Sequence, residues 1–437
     1  MHFLRSQAAR TLALTALLLA SASLGARSAA AEALLLVEAD TGKVLHAENA
    51  GYPWYPASVT KVMTAYVALK AVKDGRISLD RLVAVSPVAH AQQPSKMGFA
   101  VGTQVTIDNA LKMLMVKSAN DMAVVIAEGV SGSVERFADE MNAAAQRLGM
   151  TQSSFVNPNG LPADAQVTSA RDLAILTRAV IRELPEYEMY WRIPAIKFGK
   201  RIMRNYNRLI DNYPGADGMK TGFICASGFN LVATATRGGR RLIAVVLGAP
   251  SGRARAEKAA QLLERGFGGN ALSWLLPSLG TVDALQPLHA APPNLREDVC
   301  GKNRKRPASE SDDEDDTAGP PEADQSSAYA ALNLSMRARG GSLLSPQPPS
   351  MPPVVVHVGP ARKPQDPAVA AAKPAAKPVP APRPAAAPAA RKPAARTAVT
   401  TPAAKPATTS ARPAAASAKP AAPAPQPRAK KTSAAQQ

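Results

Sequence analysis

Tyr55-Pro56-Ala57-Ser58-Val59-Thr60-Lys61 stands where the pattern of the chain changes. Upstream, Leu34-Leu35-Leu36-Val37, the turn Asp40-Thr41-Gly42-Lys43 and Val44-Leu45-His46-Ala47 read as a hairpin. Downstream, Val59, Val62, Met63, Tyr66 and Leu69 recur at helical spacing until Gly75 stops them. Ser58 therefore opens a helix, and Lys61, three residues on, shares its face. The positive end of the helix dipole favours negative charge developing there. A serine hydroxyl needs an adjacent base to act as a nucleophile at neutral pH. A lysine serves when burial and neighbouring cations lower its pKa. Taken alone, the four residues fit an N-cap serine on an ordinary surface helix better.

Working outward, helical patterns cover Ile107 to Val116, Met122 to Gly129, Val134 to Leu148 and Ser169 to Ile181. Strand patterns follow at Arg192 to Met203, Phe229 to Thr236 and Arg241 to Leu247, and a final amphipathic stretch runs from Arg255 to Phe267. A hairpin, several helices, three strands and a helix predict an α+β domain over residues 32–270, with helices packed on an antiparallel sheet.

Two further tripeptides carry chemistry. Ser118-Ala119-Asn120 falls between two helical patterns, on a tight turn. There the hydroxyl suits proton relay and the amide suits holding a carbonyl. An N-cap before Met122 explains the tripeptide equally well on its own. Lys220-Thr221-Gly222 precedes the Phe229 strand. A cation, a hydroxyl and a residue without a side chain on an edge strand suit capture of an anionic substrate end, and glycine lets a substrate backbone lie close. In isolation, a turn with a surface lysine explains these residues too.

Together, Ser-x-x-Lys, Ser-x-Asn and Lys-Thr-Gly in this order resemble the low-molecular-mass penicillin-binding proteins, the D-alanyl-D-alanine carboxypeptidases of the serine acyl-transferase family. The resemblance extends to Glu38-Ala39-Asp40-Thr41-Gly42, Asn159-Gly160-Leu161, Thr168-Ser169-Ala170-Arg171-Asp172 and Gly228-Phe229-Asn230-Leu231-Val232, and so covers roughly Leu34 to Asn270. It implies a β-lactamase/transpeptidase-like fold with a helical subdomain. It implies Ser58 as the acylated residue, Lys61 as its base, Ser118 as proton relay and Asn120 as holder of the peptide carbonyl. Lys220 and Thr221 would bind the terminal carboxylate, Gly222 would let the substrate approach, and the backbone N–H groups of Ser58 and Phe223 would form an oxyanion hole. Arg255 stands where the family tends to carry an arginine facing that carboxylate, with Arg253 close enough to confuse the assignment. Many relatives have His where this chain has Phe223, which puts a side-chain role there in doubt. The family's C-terminal β-domain and amphipathic anchor are not evident after Asn270.

The implied activity is removal of the terminal D-alanine from peptidoglycan stem peptides, with β-lactams as inhibitors and no cofactor or metal. A D,D-endopeptidase of the same fold fits the same residues. A β-lactamase fits less well, because Glu-x-x-Leu-Asn is absent between Asn120 and Lys220. A catalytically dead wall-binding protein is disfavoured by the intact set of side chains.

Composition bounds the rest. Of 437 residues 39 are Pro and only 4% aromatic, so much of the chain cannot build a dense core. Arg5 and Arg10, the apolar run Thr11 to Ala20 and Ala29-Ala30-Ala31 read as a signal peptide over 1–31. Export to the periplasm is expected, peripheral to the inner membrane. Residues 271–360 are expected as a largely irregular linker, with a short packed segment at Trp274 to Leu279. The linker holds a basic run, Lys302 to Arg306, and an acidic one, Glu310 to Asp316. In an exported chain the basic run is a solvated linker, and no nucleic acid is expected as a partner. Residues 361–437 repeat Ala, Pro and Lys/Arg, with fourteen basic residues against the single acid Asp366, and are expected to be disordered. Their charge suits contact with an anionic membrane or the wall. Cys225 and Cys300 either pair in an oxidising compartment or remain free thiols.

Overall fold

The computed structural model describes residues 32–268, 278–301 and 343–359. The expected signal peptide, the charged runs at 302–306 and 310–316, Trp274 and the basic stretch 361–437 lie outside them.

The opening hairpin forms as β1 (Ala33–Glu38) and β2 (Val44–Glu48), turned at Gly42, whose φ of 73° suits a residue without a Cβ. It joins β7 (Ala216–Ile224), β8 (Gly228–Arg237) and β9 (Arg240–Ala249) in an antiparallel sheet of order β2-β1-β9-β8-β7. β1 and the centres of β8 and β9 are apolar at successive positions because they are buried on both faces. β7 is the edge strand, so the Lys220-Thr221-Gly222 segment has one side left for a partner.

Helix α1 (Lys61–Lys73) follows a 3₁₀ turn, Ala57–Thr60. The helical layer continues with α2 (Ile107–Val116), α3 (Asn120–Ser131), α4 (Val134–Leu148) and α5 (Ala170–Glu183). Thr106, Ser133 and Ser169 cap α2, α4 and α5 through their hydroxyls. Helix α6 (Gly252–Gly268) packs on β1, β8 and β9. A short ribbon pairs β3 (Leu82–Ala84) with β4 (Gln104–Thr106).

The stretch from Arg192 to Met203, expected as one strand, is three pieces. Arg192 ends a helical turn, Met189–Arg192; β5 (Ala195–Phe198) and β6 (Arg201–Arg204) form a hairpin. Pro194 cannot continue the helix, and Gly199, at φ 58°, makes the turn.

The compact unit extends beyond Asn270. Val282, Leu295 and Val299 are buried in the main core. Val44 N donates to Gly280 O, Val282 N to Gly42 O and Leu288 N to Gly51 O. A short helix, α7 (Arg296–Cys300), brings Cys300 to Cys225 at a Cα–Cα distance of 5.6 Å, and the two form a disulfide. Farther on, β10 (Val354–Val355) adds to β5 in parallel and buries Val356. The expected linker therefore contributes two docked stretches. They carry no hydrophobic period because they attach through single side chains and edge hydrogen bonds.

Candidate active site

The turn carrying Ser58 is held from three directions. Trp54 exchanges backbone hydrogen bonds with Thr168 (2.7 and 2.9 Å), and its indole N–H donates to Ser227 O at 3.0 Å. Asn230, on β8, donates to Tyr55 O (2.9 Å) and Pro56 O (3.2 Å). Ala57 adopts φ 49°, a conformation uncommon for a residue with a Cβ and one that clusters at functional sites. Ser118 does the same at 58°.

Lys61 is fully buried. Its Nζ donates to Ser58 Oγ at 2.8 Å, to Asn120 Oδ1 at 2.8 Å and to the backbone carbonyl of Asn159 at 2.7 Å. The first contact is the Ser/Lys face expected from the spacing of three. The second brings the Ser-x-Asn turn to the same point, although α1 and α3 are separate helices. Asn120 Nδ2 also donates to Gln93 O at 2.8 Å. Its amide thus holds Lys61 and the neighbouring loop with its oxygen and one of its two N–H groups. Asp121, next to it and fully buried, accepts from Met97 N and Gly98 N and fixes that loop.

The third partner of Lys61 was not foreseen. Asn159 belongs to a turn, Asn157 to Leu161, clamped against α1. Thr64 Oγ1 donates to Pro158 O, and Gly160 fits so tightly, at φ 81°, that a Cβ would sit 1.8 Å from Ala57 O. Gln166 locks the turn from behind. Its Oε1 accepts from Val156 N (2.7 Å) and Asn157 N (3.2 Å); its Nε2 donates to Thr60 Oγ1 (3.1 Å) and Asn157 O (3.2 Å). Asn159-Gly160-Leu161 entered only through the family resemblance, and nothing in a sequence says which backbone carbonyl will face a lysine.

On the other side of Ser58 runs β7. A Cβ at Gly222 would lie 2.8 Å from the backbone nitrogens of Ser58 and Val59 and 3.0 Å from Pro56 O, so only glycine lets the strand pass this close. Lys220 is buried, with Nζ donating to Thr221 O at 3.0 Å. Thr221 Oγ1 and Ser118 Oγ are buried with no hydrogen-bond partner. Phe223 stacks on Phe229 at a centroid distance of 4.3 Å, and the Arg255 guanidinium lies 5.6 Å from the Phe229 ring. Arg255 is buried beneath the strands, with long contacts (3.4 Å) to the carbonyls of Gly222 and Asn230. Arg253 instead pairs with Glu257 on the surface, which separates the two arginines.

A sequence profile of the D-alanyl-D-alanine carboxypeptidase family matches residues 20–251. The chain belongs to that family. The D-alanyl-D-alanine carboxypeptidase DacC of Escherichia coli is 39% identical over 249 residues, covering 55% of this chain and 62% of the relative. DacF of Bacillus subtilis is 36% identical over 243 residues, with coverage of 54% and 62%. The chain thus matches somewhat under two thirds of the length of these relatives. Among solved structures, penicillin-binding protein 5 from Haemophilus influenzae aligns with a TM-score of 0.52 at 36% identity, covering 54% of this chain and 70% of the other. The D-alanyl-D-alanine carboxypeptidase DacD from Francisella tularensis gives 0.52 at 30%, with the same coverage. The carboxypeptidase-family fold expected from the three motifs is therefore shown. Among the described residues, no group of three or more His, Cys, Asp or Glu side chains is placed to hold a metal, and no helix is long and apolar enough to cross a membrane.

Proposed function

We propose that the protein is a serine-type D-Ala-D-Ala carboxypeptidase. It removes the terminal D-alanine from peptidoglycan stem peptides through an acyl-enzyme on Ser58, and penicillins acylate the same hydroxyl. The observation that carries this reading is the 2.8 Å contact between Lys61 Nζ and Ser58 Oγ in a buried, hydrogen-bonded setting.

With the lysine neutral, that contact reverses direction. Ser58 O–H gives its proton to Nζ as Oγ attacks the carbonyl carbon of the penultimate D-alanine. Asn120 Oδ1 and Asn159 O accept hydrogen bonds from Nζ throughout, so the base does not move as it charges. The oxyanion is met by the backbone N–H groups of Ser58, in its 3₁₀ turn, and Phe223, on β7; Gly222 allows turn and strand to touch. Lys220 and Thr221 Oγ1 hold the terminal carboxylate, and the positive charge of Arg255 behind β7 adds to the same field. Ser118 Oγ passes a proton to the leaving D-alanine nitrogen and takes one back from the Lys61 ammonium, which returns the lysine to its neutral form. Water then takes the acyl group from Ser58 and restores the serine.

Export fits this substrate. The signal-like segment 1–31 supports it, as does the Cys225–Cys300 disulfide, since such bonds persist in oxidising compartments. The basic stretch 361–437 fits a tether to an anionic surface, each basic residue contributing roughly 1 kcal/mol near anionic lipid.

Mass spectrometry of the penicillin adduct, together with an assay for D-alanine released from a peptide ending in D-Ala-D-Ala, tests the reading. The expected adduct is on Ser58, and Ser58→Ala abolishes both activities while the protein stays folded. An adduct on another residue, or none on folded protein, would overturn it.

A further inference from the structure

The β5–β6 hairpin carries Lys197, Lys200, Arg201 and Arg204, all exposed, with no ion pair to any carboxylate among the described residues. Elsewhere on the domain, basic side chains commonly have acidic neighbours, as in Lys73–Glu186, Arg76–Glu140 and Arg240–Glu38. Four like charges on one ten-residue hairpin repel one another and are tolerated where a polyanion will meet them. The register puts them on a defined face. Lys197 pairs with Ile202 on one side and with Val355 of β10 on the other, so these three form one outward row. Ile202 is 53% exposed and Val355 42%. Arg204, two residues from Ile202, lies on the same face, and Lys200 and Arg201 sit at the tip.

The opposite face of the hairpin, which carries Phe198, packs beside the cleft. Phe198 packs on Phe99 at 5.3 Å, in the loop that Asp121 ties down beside Asn120. Immediately after β6, the Tyr206 hydroxyl accepts from Lys117 Nζ at 2.7 Å, next to Ser118, and Asn207 donates to Gly218 O, two residues before Lys220. The hairpin is thus braced to both the Ser-x-Asn turn and the Lys-Thr-Gly strand.

We propose that the outward face of the β5–β6–β10 sheet is an exosite for the peptidoglycan polymer, holding carboxylates of stem peptides adjacent to the one being cut. The inference rests on the carboxypeptidase reading, under which each uncut stem ends in a carboxylate and the polymer is a polyanion. A short isolated peptide reaches only the cleft; a strand of the polymer spans cleft and hairpin together. The cations raise the encounter rate and residence of the polymer without touching the reacting atoms.

The test uses the full chain and a variant with Lys197→Gln, Lys200→Gln, Arg201→Gln and Arg204→Gln. The two are compared for D-alanine release from isolated sacculi, for release from a short neutral-chain peptide ending in D-Ala-D-Ala, and for sedimentation with sacculi and with anionic phospholipid vesicles. The expected result is a fall of about tenfold in kcat/KM on sacculi and in sacculus binding at low salt, a difference that fades at ~1 M salt where screening is nearly complete. Turnover of the short peptide stays within about twofold, as for a variant remote from the reacting atoms. Equal activity and binding of the two proteins on sacculi would overturn the exosite. So would loss confined to vesicles, which would make the face a membrane contact. If the unaltered chain failed on the short peptide itself, the carboxypeptidase reading would fall instead.

Discussion

Lys61 and Thr221 are buried polar side chains on opposite sides of Ser58, and the fold treats them differently. The Lys61 side is closed: Nζ has three oxygen partners, and the turn that supplies one of them is itself locked by Gln166. The Thr221 side is open: Thr221 Oγ1 and, across the cleft, Ser118 Oγ are buried without a partner, on or facing an edge strand. Leaving a buried hydroxyl unpaired costs about 1–3 kcal/mol, and folds avoid it where nothing is gained. Under the proposed mechanism, the half that makes the nucleophile is finished before substrate arrives, and the half assigned to substrate capture is completed by it. That division places the reorganisation in binding and leaves the chemical step preorganised.

Lys61→Ala should break the closed half most completely. Acylation by a labelled penicillin should slow by on the order of 10³-fold, the scale of losing a general base. The change also strands Asn120 Oδ1 and Asn159 O, so the melting temperature should fall as well. Unchanged labelling would remove Lys61 from the mechanism.

Gln166 sharpens the same side without touching the nucleophile. Gln166→Leu deletes four hydrogen bonds and should loosen the Asn159 carbonyl. A misplacement of about 1 Å there is expected to slow acylation by up to ~10²-fold. Gln166→Glu keeps the shape but loses the two N–H donors and adds a negative charge near Lys61. Negative charge favours the ammonium form, so the acid limb of the pH–acylation profile should move to higher pH. A merely structural role would lower stability in both variants and leave that limb where it is.

Thr221→Val tests the open half, where the two readouts should part. Replacing an unpartnered buried hydroxyl by a methyl group should leave the melting temperature unchanged or raise it slightly. Yet kcat/KM for the peptide should fall about tenfold or more, the worth of a hydrogen bond to a charged carboxylate. A parallel loss of stability would show that the hydroxyl already has a partner, and the contrast with Lys61 would fail.

This contrast also marks what could be read from the residues alone. Side chains with a chemical signature were legible: Ser58 and Lys61 by spacing, Asn120 by its place after α2, and Gly222 by its tripeptide. So were helices whose apolar period is uninterrupted, and the bounds expected for Ile107–Val116 and Val134–Leu148 are those observed. The Asn159 carbonyl was not legible, because every residue carries a carbonyl and only tertiary packing selects one. Gln166 escaped for a related reason: a lone buried amide acts through a backbone N–H 10 residues away and a threonine hydroxyl 106 residues away. The Arg192–Met203 region failed where one strand pattern concealed a turn at Gly199. The docked stretches after Asn270 failed because edge attachment leaves no period.

The disulfide gives the smallest expected effect on catalysis and tests whether the open half depends on support from outside. Cys225 ends five residues beyond Lys220, just past β7, and Cys300 lies 75 residues farther along the chain. Closing a loop of that length restricts the unfolded chain, worth at most ~4 kcal/mol on the chain-entropy estimate. The turn after β7 and the neighbouring strand β8 have other anchors. Trp54 Nε1 bonds Ser227 O, and Asn230 bonds Tyr55 O and Pro56 O. None of these passes through sulfur. Cys300→Ser should therefore lower the melting temperature by on the order of 10 °C while changing the rate of penicillin acylation by less than about threefold. A large loss of acylation well below the melting temperature would mean that the Thr221 side is held in place by the segment beyond Asn270, and that the domain bounded at that residue is not the unit that captures substrate.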